Sequence, residues 1–199
     1  MRRGTIAIIW AAVLLLARTT DAGVTYHYSP DLANEANPLV KYVDQGWPAL
    51  LVVNGVLSAL VLACTVYWWR RPIRYVLPAN VSGVWTFASY ALYGRVYSPG
   101  RFVLAMFTRL TGNWRHIAQL FGFIFPPVVS IGSLAGALTW ARRDFSSLSW
   151  YWRACEVLGY PWYVLVPAMP FAVVLTVLFY RSEYRRCLRE QTSQVACAC

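Results

Sequence analysis

From Pro48 to Tyr67 the chain runs for twenty residues without a charged side chain, and tryptophans stand at its edges, Trp47 before and Trp68 after. At about 1.5 Å of rise per residue, a helix from Trp47 to Trp68 covers roughly 31 Å, close to the ~30 Å apolar core of a bilayer with a tryptophan at each interface. Ile117 to Trp140 is a second uncharged stretch, ending in Arg142-Arg143, and Leu158 to Tyr180 is a third, ending in the basic tail 181–199. Each predicts a membrane-crossing helix.

The N-terminal apolar run, about 5–24, is interrupted by Arg18, Thr19, Thr20 and Asp21. Arg2-Arg3, a short apolar core and Thr20-Asp21-Ala22 fit a cleavable signal peptide. The same residues fit a retained anchor, because Arg18 and Asp21 lie three apart on one helix face and can pair or point into a bundle. Both readings stay open at this level.

Tyr75 to Tyr93 is also uncharged, but Pro78, Asn80, Ser82, Gly83 and Ser89 dilute it. Counting basic residues tests whether it spans. Five crossings would leave eight basic residues inside and nine outside, whereas a segment that dips in and returns, or lies at the interface, gives 13 inside and four outside. The excess of arginine expected in cytoplasmic loops favours the second arrangement. The expected fold is therefore an all-α polytopic transmembrane bundle, a single domain with four spans (5–24, 47–69, 117–140 and 158–180) and one weaker embedded segment (75–93). It is expected in the cytoplasmic membrane with the C-terminus inside.

Composition agrees: 58% of the 199 residues are hydrophobic and 13% are charged, against roughly 25% charged in soluble domains. The net charge of +10 rests almost wholly on arginine, since Lys41 is the only lysine. Arginine pairs at segment ends are topology signals and not the one-faced basic patch of a nucleic-acid binder. Membrane lipid, other membrane proteins or a second copy are the expected partners, and no nucleic acid. The five cysteines form no CxxC and no readable disulfide framework.

The outer loop from Tyr26 to Pro38 is the richest in polar chemistry. Ser29-Pro30 and Asn37-Pro38 read as N-caps with proline at the first helical position, and Gly46 as a stop, predicting two short surface helices. Asp31 and Glu35 then lie on one face as a like-charge pair. An arginine, a metal ion with His27 as third ligand, or solvent cations can answer that pair. The candidate polar cluster is Asp21, His27, Asp31, Glu35 and Asn37, with no metal site or cofactor assigned.

With Thr20, Asp21 and Glu35-Ala36-Asn37-Pro38, the first half of the chain resembles an uncharacterised family of small prokaryotic membrane proteins. In that family the first helix ends in Asp and Thr and is followed by Glu-x-Asn-Pro. The resemblance implies a retained first helix and, against the charge count, a spanning 75–93 segment. It implies no activity.

Two spans carry paired prolines, Pro126-Pro127 and Pro167 with Pro170. A proline frees the carbonyl four residues earlier, here Gly122, Phe123, Tyr163 and Val166, and broken helices side by side are how many transporters build a midplane site. The alternative is a pair of packing kinks. Gly132 and Gly136 form a small-xxx-small pattern for close helix approach, and Asn54 is a candidate interhelical hydrogen-bonding group. With two histidines and no HExxH, GxSxG or P-loop, no catalytic residue is assigned. A non-enzymatic assembly, scaffold or partner-binding role is the leading expectation. A small transporter or channel subunit, and a metal-dependent intramembrane enzyme, are the alternatives.

Overall fold

The structure, a computed structural model, describes residues 3–32, 46–141, 149–159 and 162–198. All regular elements among them are α-helices: α1 (Arg3–Tyr28), α2 (Gly46–Arg70), α3 (Val84–Tyr93), α4 (Pro99–Thr108), α5 (Trp114–Ala141), α6 (Ser149–Leu158) and α7 (Trp162–Ala198). Four of them, α1, α2, α5 and α7, are long and apolar enough to cross a membrane. The fold is an all-α transmembrane bundle with α5 at its centre. Half of the most apolar window of α5 is buried, against 17% in α1, 11% in α2 and 17% in α7. The outward faces of the other three carry exposed Leu, Ile, Val and Phe, which suits a lipid solvent and not water.

The segment 75–93 does not cross as one helix, so the spanning segment that the family resemblance implies is not found. Residues 71–83 are non-helical, and α3 has 10 residues, about 15 Å of rise against a ~30 Å core. Tyr90 donates from its hydroxyl to the Val76 carbonyl at 3.3 Å, and the Val81 amide donates to the Pro78 carbonyl at 3.0 Å, folding the strap back on itself.

Other boundaries differ from the sequence reading for local reasons. α1 continues past residue 24 to Tyr28, and Ser29-Pro30 lies in the turn that ends it, with Ser29 N donating to Thr25 O at 2.8 Å. After Pro30 the chain makes a turn, with Leu32 at φ 58° and its N donating to Ser29 O at 3.0 Å, and the Pro30 carbonyl accepts from Trp47 Nε1 at 2.7 Å. Asn37-Pro38 lies outside the described residues. Gly46, read as a stop, stands at the start of α2 with φ 61°. α5 begins at Trp114 because Asn113 caps it, its Oδ1 accepting from His116 N at 3.2 Å. The span expected over 158–180 is present as one helix from Trp162, Gly159 at φ 68° ending α6 before it. α7 then runs without interruption through what looked like a tail, to Ala198.

With four crossings, residues 71–113 share one end of the bundle with Arg3 and the C-terminal half of α7. The hydrophobic core is concentrated there, where Phe87, Ala88 and Ala91 of α3 pack with Trp68, Phe123, Phe179 and Tyr180. Twelve of the fourteen described arginines belong to that end; Arg18 lies within α1 and Arg153 at the opposite end. At the opposite end aromatic rings tie the helices, Tyr26 edge-on to Trp47 at 5.5 Å and Tyr28 stacked with Trp140 at 6.4 Å.

Candidate functional site

Two polar centres hold the bundle, one inside the apolar slab and one at the arginine-rich end. In the first, α1 carries Arg18 about 22 Å above Arg3, counted at 1.5 Å per residue. Arg18 donates to Ser133 Oγ of α5 at 3.0 Å and to Asn54 Oδ1 of α2, and it pairs with Asp21 at 3.6 Å. Arg18 thus stands past the middle of a ~30 Å core, where a charge costs less than the roughly 2.5–3.5 kcal/mol of the centre, and pairing and hydrogen bonding offset that cost. Gly136 makes room for this: a Cβ there would stand 3.2 Å from Asp21 Oδ1. Gly132 is half-buried one turn earlier. Asn54 and Gly136, singled out for helix packing, thus meet the two charges of α1.

One further close approach lies below it. The Gly122 carbonyl, which Pro126 leaves without its helical donor, accepts from Thr65 Oγ1 of α2 at 3.0 Å. A side chain at Gly122 would run into the backbone of Cys64 and Thr65. The proline and the glycine together let α2 and α5 touch backbone to backbone.

At the arginine-rich end, Glu183 is 2% exposed and lies between two guanidiniums. Arg3 pairs with it across the bundle, and Arg186 pairs with it at 2.8 Å within α7. Arg3 also lies over the Trp68 ring, 5.5 Å from its centroid. Arg186 bridges to Glu190 at 2.8 Å and to the Ile73 carbonyl, so one side chain joins α7 to the 71–83 strap.

Beside this network His116 is 1% exposed. Its Nδ1 meets the Tyr75 hydroxyl at 2.6 Å and its Nε2 the Tyr180 hydroxyl at 3.2 Å. Gln119 donates to the Arg71 carbonyl, and Asn113 Nδ2 to the Ala91 carbonyl at 2.9 Å. Burial pushes the Tyr75 phenol above its ordinary range. The histidine has a phenol on each ring nitrogen, which makes it a joint between strap, α5 and α7. An open cleft of about 330 Å³ lies alongside, lined by Tyr75, Tyr90, Tyr93 and Asn113.

The outer-loop candidates are not drawn together among the described residues. Asp21 faces the bundle, whereas His27 is exposed six residues later, about 9 Å along the helix axis, with its ring edge-on to Tyr28 at 4.9 Å. Asp31 is exposed in the following turn. Glu35 and Asn37 lie outside the described residues. Among those described, no three His, Cys, Asp or Glu side chains are grouped so as to hold a metal ion.

Sequence reading missed Arg3, Glu183, Arg186, Tyr75 and Tyr180 as a connected set. The signal for them was the crossing number, since an even count puts residues 3, 75, 116 and 183 at one face. Neither a family model, nor a curated protein, nor a solved structure matches this chain.

Proposed function

We propose that this chain is a non-enzymatic scaffold of the cytoplasmic membrane that holds a rigid basic helix out on the cytoplasmic side for a partner with an acidic surface. The observation that carries this reading is the length of α7. Its 37 residues extend about 55 Å at 1.5 Å per residue, well beyond a ~30 Å apolar core.

The projecting part is braced on one side and open on the other. Glu183, Arg186 and Gln191 bond to α1 or to the carbonyls of Ile73 and Leu77. Arg181, Arg185 and Arg189 recur every fourth residue, hence along one stripe, and all three are exposed. The arginine excess at this end supports a cytoplasmic C-terminus.

A transport path between the proline-bearing helices is the rival reading. Packing between those two helices is supported instead by Phe123 of α5 and Phe179 of α7, both buried, with ring centroids 5.7 Å apart. Photo-crosslinkers at Arg185 and Arg189 in intact membranes test the scaffold reading. It expects one discrete protein adduct that is lost in R181Q/R185Q/R189Q while insertion persists. Absence of that adduct, together with solute flux in proteoliposomes of the pure chain, would overturn it in favour of transport.

A further inference from the structure

We infer that α4 and its flanks form an anionic-lipid site, with α4 lying in the headgroup–acyl boundary of the leaflet at the arginine-rich end. The inference rests on the fold and not on the scaffold role of α7.

From Arg70 to His116 the sequence contains no Asp or Glu, and neither does any position between Asp44 and Asp144. That stretch nevertheless carries Arg70, Arg71 and Arg74 where α2 ends, and Arg95, Arg101, Arg109 and Arg115 around α4. All seven are exposed, and among the described residues none is in an ion pair. So large a positive field without internal counter-charge fits an external anion. Two of the guanidiniums already sit over aromatic rings as interfacial arginines do. Arg70 lies 5.5 Å from the Trp69 centroid, and Arg109 lies 5.9 Å from Tyr97 while donating to its hydroxyl at 3.0 Å.

The shape of α4 chooses lipid over a soluble partner. It starts with Pro99 at its first position, and Phe102 N closes the first turn on Ser98 O at 2.8 Å. Its 10 residues reach about 15 Å, too short to cross. Only Phe102 and Ala105 are buried, Phe102 against Trp85 and Tyr93 with ring centroids at 5.1 and 6.1 Å. Leu104 and Met106 face away from the protein, with Phe107 84% and Leu110 92% exposed. Apolar side chains left that open, on a short helix flanked by arginines, mark a helix lying in the interface plane. Basic side chains near a bilayer draw anionic headgroups by roughly fivefold in affinity per arginine.

The test uses the purified full-length chain in nanodiscs of phosphatidylcholine with and without phosphatidylglycerol. Nitroxide labels on Phe107→Cys and Leu110→Cys report depth, and Arg153→Cys at the other end is the control. Both α4 labels are expected below the headgroups, deeper when phosphatidylglycerol is present. The variant R95Q/R101Q/R109Q/R115Q should retain at least tenfold less phosphatidylglycerol on lipid exchange, whereas R181Q/R185Q/R189Q retains it. Water-exposed labels in anionic bilayers, or unchanged lipid retention in the fourfold variant, would overturn the inference. So would occupation of the α4 face by a second copy of the chain, seen as Leu110-to-Leu110 spin coupling. No partner protein is present, so any of these results leaves the reading of α7 untouched.

Discussion

Arg3 and Glu183 stand 180 residues apart and form an ion pair, its carboxylate buried and its guanidinium partly exposed, that closes the first helix on the last. The pair exists because an even number of crossings returns the chain to the face where it began. Glu183 is the shared member, since Arg186 holds it as well.

Removing the shared member should therefore cost more than removing either cation. Glu183→Ala leaves Arg3 without its carboxylate and Arg186 with Glu190 alone, and because both guanidiniums are partly exposed we expect a loss of about 3 kcal/mol, the low end for breaking a buried pair. Arg3→Ala should cost less, because Arg186 still satisfies the carboxylate. Reversible unfolding in mild detergent measures both, and equal losses would contradict the shared-carboxylate geometry.

Gly122→Ala should destabilise by about 1–3 kcal/mol or more, as overpacking does, because the new Cβ meets the Cys64 and Thr65 backbone. Gly55→Ala has nothing within 4 Å to strike and should be neutral or slightly stabilising. The two variants in the same unfolding assay separate close approach from helix propensity. A tolerated Gly122→Ala would place α2 further from α5 than described.

Arg18→Ala and Asn54→Ala should be non-additive, with a coupling of about 0.6 kcal/mol and at most about 1.7. The double-mutant cycle reads this directly. A zero coupling would mean that Arg18 reaches elsewhere. Because Arg18 serves α2 and α5 together, the protein extracted from membranes should keep residues 1–22, which the mass of the intact chain reports.

How much of this was legible in the sequence follows from what each feature depends on. The spans were legible because twenty uncharged residues between tryptophans admit one solution in a bilayer. The failure of 75–93 to cross was legible only from where arginines fall, not from its own hydropathy. Ser-Pro was ambiguous: Ser98-Pro99 opens α4, whereas Ser29-Pro30 lies in the turn that ends α1, where Leu32 takes φ 58°. The partners of Asn54 were half visible, since Arg18 and Asp21 shared a face. The Glu183 network and the Tyr75–His116–Tyr180 joint were not, because both are assembled across the bundle by topology.

The Tyr75 phenol lies outside the spans, and its raised pKa comes first from burial. It stays protonated in the folded protein while an unfolded tyrosine ionises near pH 10. Its contribution is thus complete below about pH 10 and declines as the pH rises beyond that. Unfolding followed from pH 8 to 11 should show this decline in the wild type and a shallower one in Tyr75→Phe.

The most direct test of the whole account is the sidedness of residues 71–113. Single cysteines replacing Arg74, Arg109 and Arg153 in an otherwise cysteine-free chain are labelled with an impermeant maleimide in vesicles of known orientation. Four crossings predict that positions 74 and 109 label from the same side and position 153 from the opposite one. Labelling of 74 and 109 from opposite sides would mean that the strap and α3 cross the membrane, which would contradict the fold and the end at which its polar centre is assembled.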